Sequence, residues 1–242
     1  MSTAGKRDGN GPTLVLIPGL AADHRMWKRQ LDDFDASHPT VVANAHQHAA
    51  SITAMAQAVL DEFDGDLALC GASMGGMIAM EAVRLAPQRV RALALLGTVA
   101  HPETPDMHRL RSDAIVLFEQ GRAEEIIRAN VPLAFHPDNA SDPALTGAYL
   151  RMVLDAGTET LVRHNRAVMA RPDARPHLGQ IRCPTLVLCG EADQLTPPEH
   201  AQAIAAAIPQ ARLTLVSGSG HMLTMEQPGR VNALLADWLA AL

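Results

Sequence analysis

Short, mostly apolar runs alternate with longer helical stretches along this chain of 242 residues. Apolar residues occupy consecutive positions in these runs and do not alternate with polar ones. Such runs are typical of parallel strands that are buried on both faces. Strands that alternate with helices form right-handed βαβ units in which the helices cover the sheet. The sequence therefore predicts an α/β fold, with an open, mostly parallel six-stranded sheet and helices on both faces. The predicted strands are Leu14–Ile17, Thr40–Ala43, Leu67–Cys70, Ala92–Leu96, Thr185–Cys189 and Arg212–Val216, and the covering helices lie near Ser51–Glu62, Met74–Leu85, Pro198–Ala207 and Pro228–Ala240.

The alternation stops between about residues 101 and 179, where the sequence shows no strand pattern. Four helical patterns replace it, near Asp106–Glu119, Ala123–Val131, Asp142–Asp155 and Glu159–Met169. This stretch is short for an independent domain, so we expect a helical cap over the sheet edge, inserted after the fourth strand. The predicted organisation is a core of residues 1–100 and 180–242 with a cap of residues 101–179. Residues 1–12 are expected to form a disordered tail.

Composition excludes several classes of function. The formal net charge is −6 and no basic patch is present, which argues against nucleic acid or an anionic membrane surface as a partner. No apolar run is long enough to span a membrane, and the first residues do not resemble a signal peptide. The three cysteines are typical of reduced thiols, so we expect a cytoplasmic protein. The oligomeric state is not indicated.

The segment Gly71-Ala72-Ser73-Met74-Gly75-Gly76 joins the third predicted strand to a helix. A glycine two residues before and two residues after the serine allows the sharp turn of a nucleophile elbow. The turn exposes the serine hydroxyl, and the helix N-terminus supplies N–H groups for an anion. Ser73 is therefore the predicted nucleophile.

A serine hydroxyl needs a base, and the base needs an orienting group. His221 directly follows the last predicted strand, so it lies at the same edge of the sheet as Ser73. Asp193 follows the fifth strand and is the predicted orienting acid. Glu191 is its nearby rival, but it is two residues earlier and is expected to face outward.

The order Ser73, Asp193, His221 is that of the α/β-hydrolases, which this chain resembles along nearly its whole length. The motifs that carry the resemblance are Ile17-Pro18-Gly19-Leu20 with Trp27, the elbow, Arg182-Cys183-Pro184 to Asp193, and Gly220-His221 with Glu226-Gln227-Pro228. The resemblance implies an oxyanion hole made by the backbone N–H groups of Leu20 and Met74. The chain departs from the family at Pro18-Gly19, where a His-Gly pair is usual. The family's leading β-hairpin has no counterpart in Met1–Thr13, so we expect a truncated sheet.

The resemblance also implies a mechanism through an acyl-enzyme, with no metal and no cofactor. The pair His46 and His48 could suggest a metal site, but without a clear third ligand a rim loop or plain surface is the better interpretation. The substrate pocket is expected between the sheet edge and the cap, with His24 and Met222 among its lining residues. The predicted cap carries several cationic residues that are expected to be solvated, although one or two could grip a substrate carboxylate; they are Arg151, Arg163, His164, Arg166 and Arg171.

The chain is most similar to small capped carboxylesterases and to 3-oxoadipate enol-lactonases. The expected function is therefore a serine hydrolase of a small ester or lactone. Two alternatives stay open: hydrolysis of a carbon–carbon bond in a diketone on the same triad, and a ligand receptor with little turnover. Dehalogenase chemistry is disfavoured because its nucleophile is an aspartate.

Overall fold

The computed structural model describes residues 11–34 and 38–242. Within these residues, six parallel strands form one sheet in the order β2-β1-β3-β4-β5-β6. The strands are β1 (Thr13–Ile17), β2 (Thr40–Val42), β3 (Leu67–Ala72), β4 (Val90–Leu96), β5 (Thr185–Gly190) and β6 (Arg212–Val216). The predicted sheet is confirmed, and each strand bound either matches the prediction or differs from it by one or two residues.

Helices cover both faces of this sheet. They are α1 (Lys28–Phe34), α2 (Ile52–Glu62), α3 (Met74–Leu85), α4 (Pro105–Glu119), α5 (Ala123–Ala134), α6 (Pro143–Asp155), α7 (Gly157–Met169), α8 (Arg175–Leu178), α9 (Pro198–Ala207), α10 (Leu223–Glu226) and α11 (Pro228–Leu239), with 3₁₀ helices at His24–Trp27 and Ala45–His48. In the part of the chain that is described, none of them is both long and apolar enough to cross a bilayer.

Side chains of the strands alternate between two hydrophobic layers. In β1, Leu14 and Leu16 belong to one layer and Val15 and Ile17 to the other, and all four are fully buried. Burial on both faces explains why these runs are apolar at consecutive positions. The sheet is therefore the centre of a three-layer arrangement.

The strand order reverses direction between β1 and β3. From β1 the chain moves outward to β2, then returns to pair β3 on the other side of β1. The carboxyl ends of parallel strands at such a switch point flank a crevice, where ligands of open α/β sheets bind. The loops after β1 and β3 carry Leu20 and Ser73, so both residues lie at this crevice.

Helices α4 to α8 lie between β4 and β5, and the four helical patterns of the predicted insertion correspond to α4 to α7. Side-chain caps stabilise the first turns of two of these helices. Thr104 Oγ accepts the Met107 N–H at 3.2 Å, and Asp142 caps α6 through the Ala144 N–H at 2.8 Å. Helix α4 packs on α7 and α5 packs on α6, and apolar residues of all four helices join the hydrophobic layers of the sheet.

Short helices were missing from the sequence prediction. Helices α1, α8 and α10 and both 3₁₀ helices span four to seven residues. Such segments complete at most two turns, which is too little for the apolar periodicity of a helix to emerge. The disordered tail predicted for residues 1–12 falls mainly on residues 1–10, which lie outside the described part of the chain.

Candidate active site

Ser73 occupies the corner between β3 and α3. Its backbone is strained, with φ 54° and ψ −117°, a conformation that side-chain-bearing residues rarely adopt. Two glycines permit this close turn. A β-carbon on Gly71 would lie 2.2 Å from the carbonyl oxygen of Gly75, and one on Gly75 would lie 2.1 Å from that of Ile17. The second contact also brings the start of α3 against the end of β1.

The end of β4 holds the corner in place. The Ser73 N–H donates to the Leu96 carbonyl at 2.8 Å, and the Thr98 hydroxyl donates to the Ser73 carbonyl at 2.7 Å. These bonds satisfy both backbone groups of a strained residue. The half-buried Ser73 side chain is thereby fixed at the carboxyl edge of the sheet.

Asp193 and His221 form a direct pair at the same edge. The ring Nδ1 of His221 lies 2.9 Å from Asp193 Oδ2, and the two side chains are 9% and 0% exposed. Asp193 Oδ1 accepts the N–H groups of Leu195 and Thr196 at 2.9 and 2.8 Å. Burial acts to raise the pKa of Asp193, but the His221 imidazole and the bonds from His221 and Thr196 outweigh it and lower the pKa.

The Thr196 hydroxyl joins this pair from the other side. It donates to Asp193 Oδ2 at 2.8 Å and lies 3.2 Å from His221 Nδ1. A carboxylate accepts hydrogen bonds only, so Nδ1 carries the proton and donates to Asp193. This tautomer leaves Nε2 of His221 with a lone pair for a proton from another group.

Gly97 connects the serine corner to the acid–histidine pair. It follows Leu96, whose carbonyl binds Ser73. A β-carbon on Gly97 would lie 3.2 Å from Asp193 Oδ2 and 3.4 Å from His221 Nδ1. The three residues predicted as nucleophile, acid and base therefore surround the end of β4.

The loop that bears His221 is tied to the inserted helices by Glu226. Its Oε1 accepts the Gly220 N–H at 2.8 Å, and its Oε2 accepts the His136 N–H at 2.7 Å and the Asn139 amide at 2.9 Å. The Met222 N–H, next in the chain to His221, donates to the Ala134 carbonyl at 3.1 Å. The segment after α5 thus lies against the histidine loop.

A family model supplies the identification. The model of the α/β-hydrolase fold matches residues 12–228, which is most of the chain. This chain belongs to the α/β-hydrolase family. The expectation from the motifs is confirmed at this level.

Individual relatives of this hydrolase are distant but nearly full-length. It is 26% identical over 231 residues to a pimeloyl-(acyl-carrier protein) methyl ester esterase of Nitrosomonas europaea, covering 88% of this chain and 90% of that one. A thermophilic esterase of Thermogutta terrifontis matches with a TM-score of 0.87 and 27% identity, covering 96% and 91% of the two chains. An enol-lactonase of Burkholderia xenovorans matches with a TM-score of 0.86 and 23% identity, covering 98% and 94%, and this likeness shows the fold alone.

The two backbone donors predicted for this hydrolase belong to the loop after β1 and to the start of α3. Met74 is the first residue of α3, where N–H groups have no acceptor within the helix. The N–H groups that flank Leu20 are occupied by Met26 Sδ and His164. That of Leu20 has no acceptor among the described residues. Both N–H groups are therefore free of an acceptor among the described residues.

Of the two residues predicted to line the pocket, one is buried and the other is exposed. Met222 is buried and follows His221 directly. The side chain of His24 is 70% exposed and lies 3.8 Å from Asp23. His24 begins a short 3₁₀ helix with its side chain exposed to solvent, and its place in the pocket stays a prediction. Glu191 is exposed, as the sequence predicted for the rival of Asp193.

The sequence analysis expected the cationic residues of the insertion to be solvated, but not all of them are. Arg171 is buried and pairs with the equally buried Glu103 at 3.0 Å. His164 is fully buried and hydrogen-bonded at both ring nitrogens. Arg163 and Arg166 pair with Glu159 and Glu119 on the surface. Except for the exposed Arg151, each of these groups already has a partner, so a carboxylate clamp gains no support here.

The interpretation of His46 and His48 as plain surface is half wrong. His48 is exposed, but His46 is fully buried, and neither of its ring nitrogens has a hydrogen-bond partner among residues 11–34 and 38–242. Burial, together with nearby His164 and His48, lowers the pKa of His46 to about 3, so the ring is neutral. Within the described ranges, no three side chains of the metal-binding types are grouped around a possible ion.

Three functional contacts were missed by the sequence analysis. Thr196 lies three residues after Asp193, a spacing typical of a turn in which an aspartate accepts backbone N–H groups, and that signal could have indicated it. Glu226 was quoted as part of a motif but without a role. His164 carried no local signal, because its partner Ala21 is 143 residues away in the sequence.

Proposed function

We propose that this protein is a serine hydrolase that cleaves a small carboxylic ester or lactone through an acyl-enzyme. The observation that carries the proposal is the buried Asp193–His221 pair, 2.9 Å apart, at the sheet edge where Ser73 sits in a strained corner. A buried carboxylate that fixes the tautomer of a histidine is what activation of a serine requires. The esterase names of two relatives point to the same bond class.

In this mechanism the Ser73 hydroxyl attacks the carbonyl carbon of the ester. Its proton passes to Nε2 of His221, and Asp193 stabilises the imidazolium that forms. The tetrahedral intermediate expels the alcohol, which takes the proton back from His221 and leaves the acyl group on Ser73 Oγ. Water, deprotonated by His221, then attacks the acyl carbonyl carbon; the second tetrahedral intermediate collapses, the acid leaves, and Ser73 Oγ takes the proton from His221.

The negative oxygen of both tetrahedral intermediates is assigned to the backbone N–H groups of Leu20 and Met74. Donors that are already oriented before reaction stabilise developing charge without reorganisation, and one such donor is worth about 3 kcal/mol of the barrier. Met74 contributes the start of a helix, whose partial positive charge adds to the effect.

We also propose that residues 101–179 form a cap over this site. Contacts between the insertion and both catalytic loops support this role. The segment after α5 binds the His221 loop through Glu226, and α7 binds the Leu20 loop through His164. Because the cap cations other than Arg151 are already paired, we expect an uncharged, mainly apolar acyl group rather than a carboxylate-bearing substrate.

A reducing compartment such as the cytoplasm fits the cysteines. Cys70, Cys183 and Cys189 are free thiols, and burial raises the pKa of each of them. Unreactive, unpaired thiols in buried positions are typical of proteins that do not depend on an oxidising environment.

The test is hydrolysis of p-nitrophenyl esters from acetate to octanoate by the wild type and by Ser73→Ala. We expect turnover in the wild type and a loss of several orders of magnitude in the variant. Ser112→Ala, which removes a hydroxyl bound within α4, is the matched control and should hydrolyse esters at the wild-type rate. Mass spectrometry of the wild type quenched during turnover should find the acyl group on the peptide that contains Ser73.

Equal background rates in the wild type and Ser73→Ala would contradict the proposal. A lactone and a β-diketone tested with the same proteins then separate the remaining functions. Turnover of the diketone alone would indicate carbon–carbon bond hydrolysis, and turnover of neither would favour a binding protein.

A further inference from the structure

The loop after β1 makes a tight turn beside the serine corner. The Ala22 N–H donates to the Gly19 carbonyl at 3.2 Å, which closes a turn with Leu20 and Ala21 at its centre. Ala21 has φ +51°, the left-handed conformation that favours glycine or asparagine at this position of a turn. An alanine keeps such a conformation only when surrounding contacts impose it.

His164 of α7 supplies the contact that imposes this conformation. The N–H of the strained Ala21 donates to His164 Nδ1 at 3.1 Å. The other ring nitrogen lies 3.2 Å from the carbonyl oxygen of Gln47, which can only accept, so Nε2 carries the proton. The Gln47 side chain in turn donates to the Ala22 carbonyl at 3.0 Å. The imidazole therefore closes a ring of bonds around the turn.

This turn fixes the direction of the Leu20 N–H. In a trans peptide the carbonyl oxygen and the N–H point to opposite sides. The Gly19 carbonyl points into the turn toward Ala22, so the N–H of the same peptide, that of Leu20, points out of it. A β-carbon on Gly19 would lie 3.4 Å from Ser73 Cβ, so this peptide is next to the nucleophile.

We propose that His164 is a positioning residue of the hydrolase, whose neutral imidazole holds the turn at Ala21 so that the Leu20 N–H stays directed at the oxyanion. The inference rests on the proposed function. It also connects the inserted helices to the chemistry, since α7 carries the residue that sets the geometry of one oxyanion donor.

The environment of His164 keeps the acceptor available. The side chain is fully buried, and burial lowers the pKa of His164 to about 4 although the Gln47 carbonyl opposes the shift. The titratable or charged groups that face it are Arg163 on its own helix and His46 and His48 on the neighbouring 3₁₀ helix. None of them is an anion that would favour a protonated ring. A neutral ring keeps the lone pair on Nδ1 that the Ala21 N–H requires.

The test compares two polar substitutions, His164→Asn and His164→Gln. The Asn oxygen reaches the position of Nδ1 and can accept the Ala21 N–H. The Gln amide reaches the position of Nε2, next to the Gln47 carbonyl, and leaves the Ala21 N–H unpaired. Both variants keep a hydrogen-bonding side chain in the cavity, so a difference between them reports on the bond to Ala21.

We expect His164→Gln to lower kcat about 10- to 100-fold on p-nitrophenyl butyrate with little change in KM, because a misdirected oxyanion donor costs less than a missing one. The Ki of a trifluoromethyl ketone, which forms the tetrahedral adduct, should rise by a similar factor. His164→Asn should stay within about threefold of the wild type in kcat and Ki, a small change on the scale of one oxyanion donor. Hydrogen exchange of the Ala21 amide should be fast in the Gln variant and slow in the Asn variant.

Equal kcat and Ki values for the two variants would overturn the inference, as would a change in KM alone. Ser73→Ala separates this failure from failure of the proposed function. A wild type that turns over esters only with Ser73 present keeps the proposed function whatever His164 does. A wild type without turnover removes both.

Discussion

The two loops that carry the proposed catalytic groups are held by different chemistry. Carboxylates hold the His221 loop: Asp193 binds the ring and Glu226 binds the backbone N–H of Gly220. Uncharged acceptors hold the Leu20 loop, namely Met26 Sδ at 3.4 Å and His164 Nδ1 at 3.1 Å. Hydrogen bonds to ionised groups are about twice as strong as bonds between neutral groups.

This difference predicts different responses to acid. The lowered pKa of Asp193 keeps its carboxylate charged well below neutral pH, so the His221 side retains its acceptor. An imidazole accepts a hydrogen bond only while it is neutral, so the Leu20 side loses its acceptor when His164 is protonated. If the charged side carries more of the activity and stability than the neutral side, substitutions on the charged side should have the larger effects.

The largest effect is expected for Asp193→Asn. The asparagine amide can donate to Nδ1, which then loses its proton, so Nε2 is protonated and cannot accept one from Ser73. We expect kcat for ester hydrolysis to fall about ten-thousand-fold with the fold intact. Glu191→Gln is the control, since Glu191 is exposed and two residues away, and it should not change kcat. Comparable losses in both variants would show that the acid was assigned wrongly.

Glu226→Ala removes the second carboxylate of the charged side. It leaves the N–H groups of Gly220 and His136 without their acceptor, and each unpaired buried group costs about 1–3 kcal/mol. We expect the free energy of unfolding in urea to fall by about 3 kcal/mol and kcat to fall about tenfold, because the His221 loop is less restrained.

The control for that variant is Glu159→Ala. Glu159 is 92% exposed and pairs with Arg163, and surface pairs of this kind contribute less than about 1 kcal/mol. If Glu226→Ala unfolds at the same urea concentration as Glu159→Ala, then the carboxylate does not restrain the loop and the contrast between the two sides fails.

A third substitution tests the Thr196 hydroxyl, an uncharged group that donates to Asp193. Thr196→Val keeps the shape of the side chain but removes the bond to Asp193 Oδ2. A bond to a charged acceptor contributes about 1.5–3 kcal/mol, and the Thr196 and Leu195 N–H groups still stabilise the carboxylate. We expect kcat about tenfold lower, a loss at the low end of that range. Thr196→Ser, which retains the hydroxyl, should restore the wild-type rate.

Ser73, Asp193 and His221 could be predicted from the sequence, as could the Leu20 donor, but the side chains that hold the two loops could not. Ser73, Asp193 and His221 each follow a strand closely, so once the parallel sheet is recognised their meeting at one edge follows from topology. His164 lies on a helix of the insertion, and no local pattern fixes how that helix packs on the loop after β1. His46 lies in a 3₁₀ helix of four residues, too short to show which side chain faces inward.

The smallest effect is expected for His46→Leu, a substitution on the neutral side that changes the free energy of unfolding at pH 7. Both ring nitrogens of His46 are buried without partners in the described part of the chain, and an unpaired buried polar group costs about 1–3 kcal/mol. Replacing the ring with an apolar side chain of similar volume should raise the free energy of unfolding at pH 7 by about 1 kcal/mol. His48→Leu, two residues away and exposed, is the matched control and should change it little.

The gain from His46→Leu should depend on pH in a defined direction. The pKa of His46 is about 3 in the folded protein, below the ordinary value of 6.5. Between these values the unfolded chain binds a proton that the folded chain does not, so the wild type loses stability as the pH falls below 6.5. The leucine variant lacks that loss, and its advantage should grow by up to about 1.4 kcal/mol for each pH unit between 6 and 4. Urea unfolding of both proteins at pH 7, 6, 5 and 4 measures it. A constant difference over this range would mean that His46 gains access to water or to a partner in solution, and His46 would then add no acid sensitivity to the neutral side.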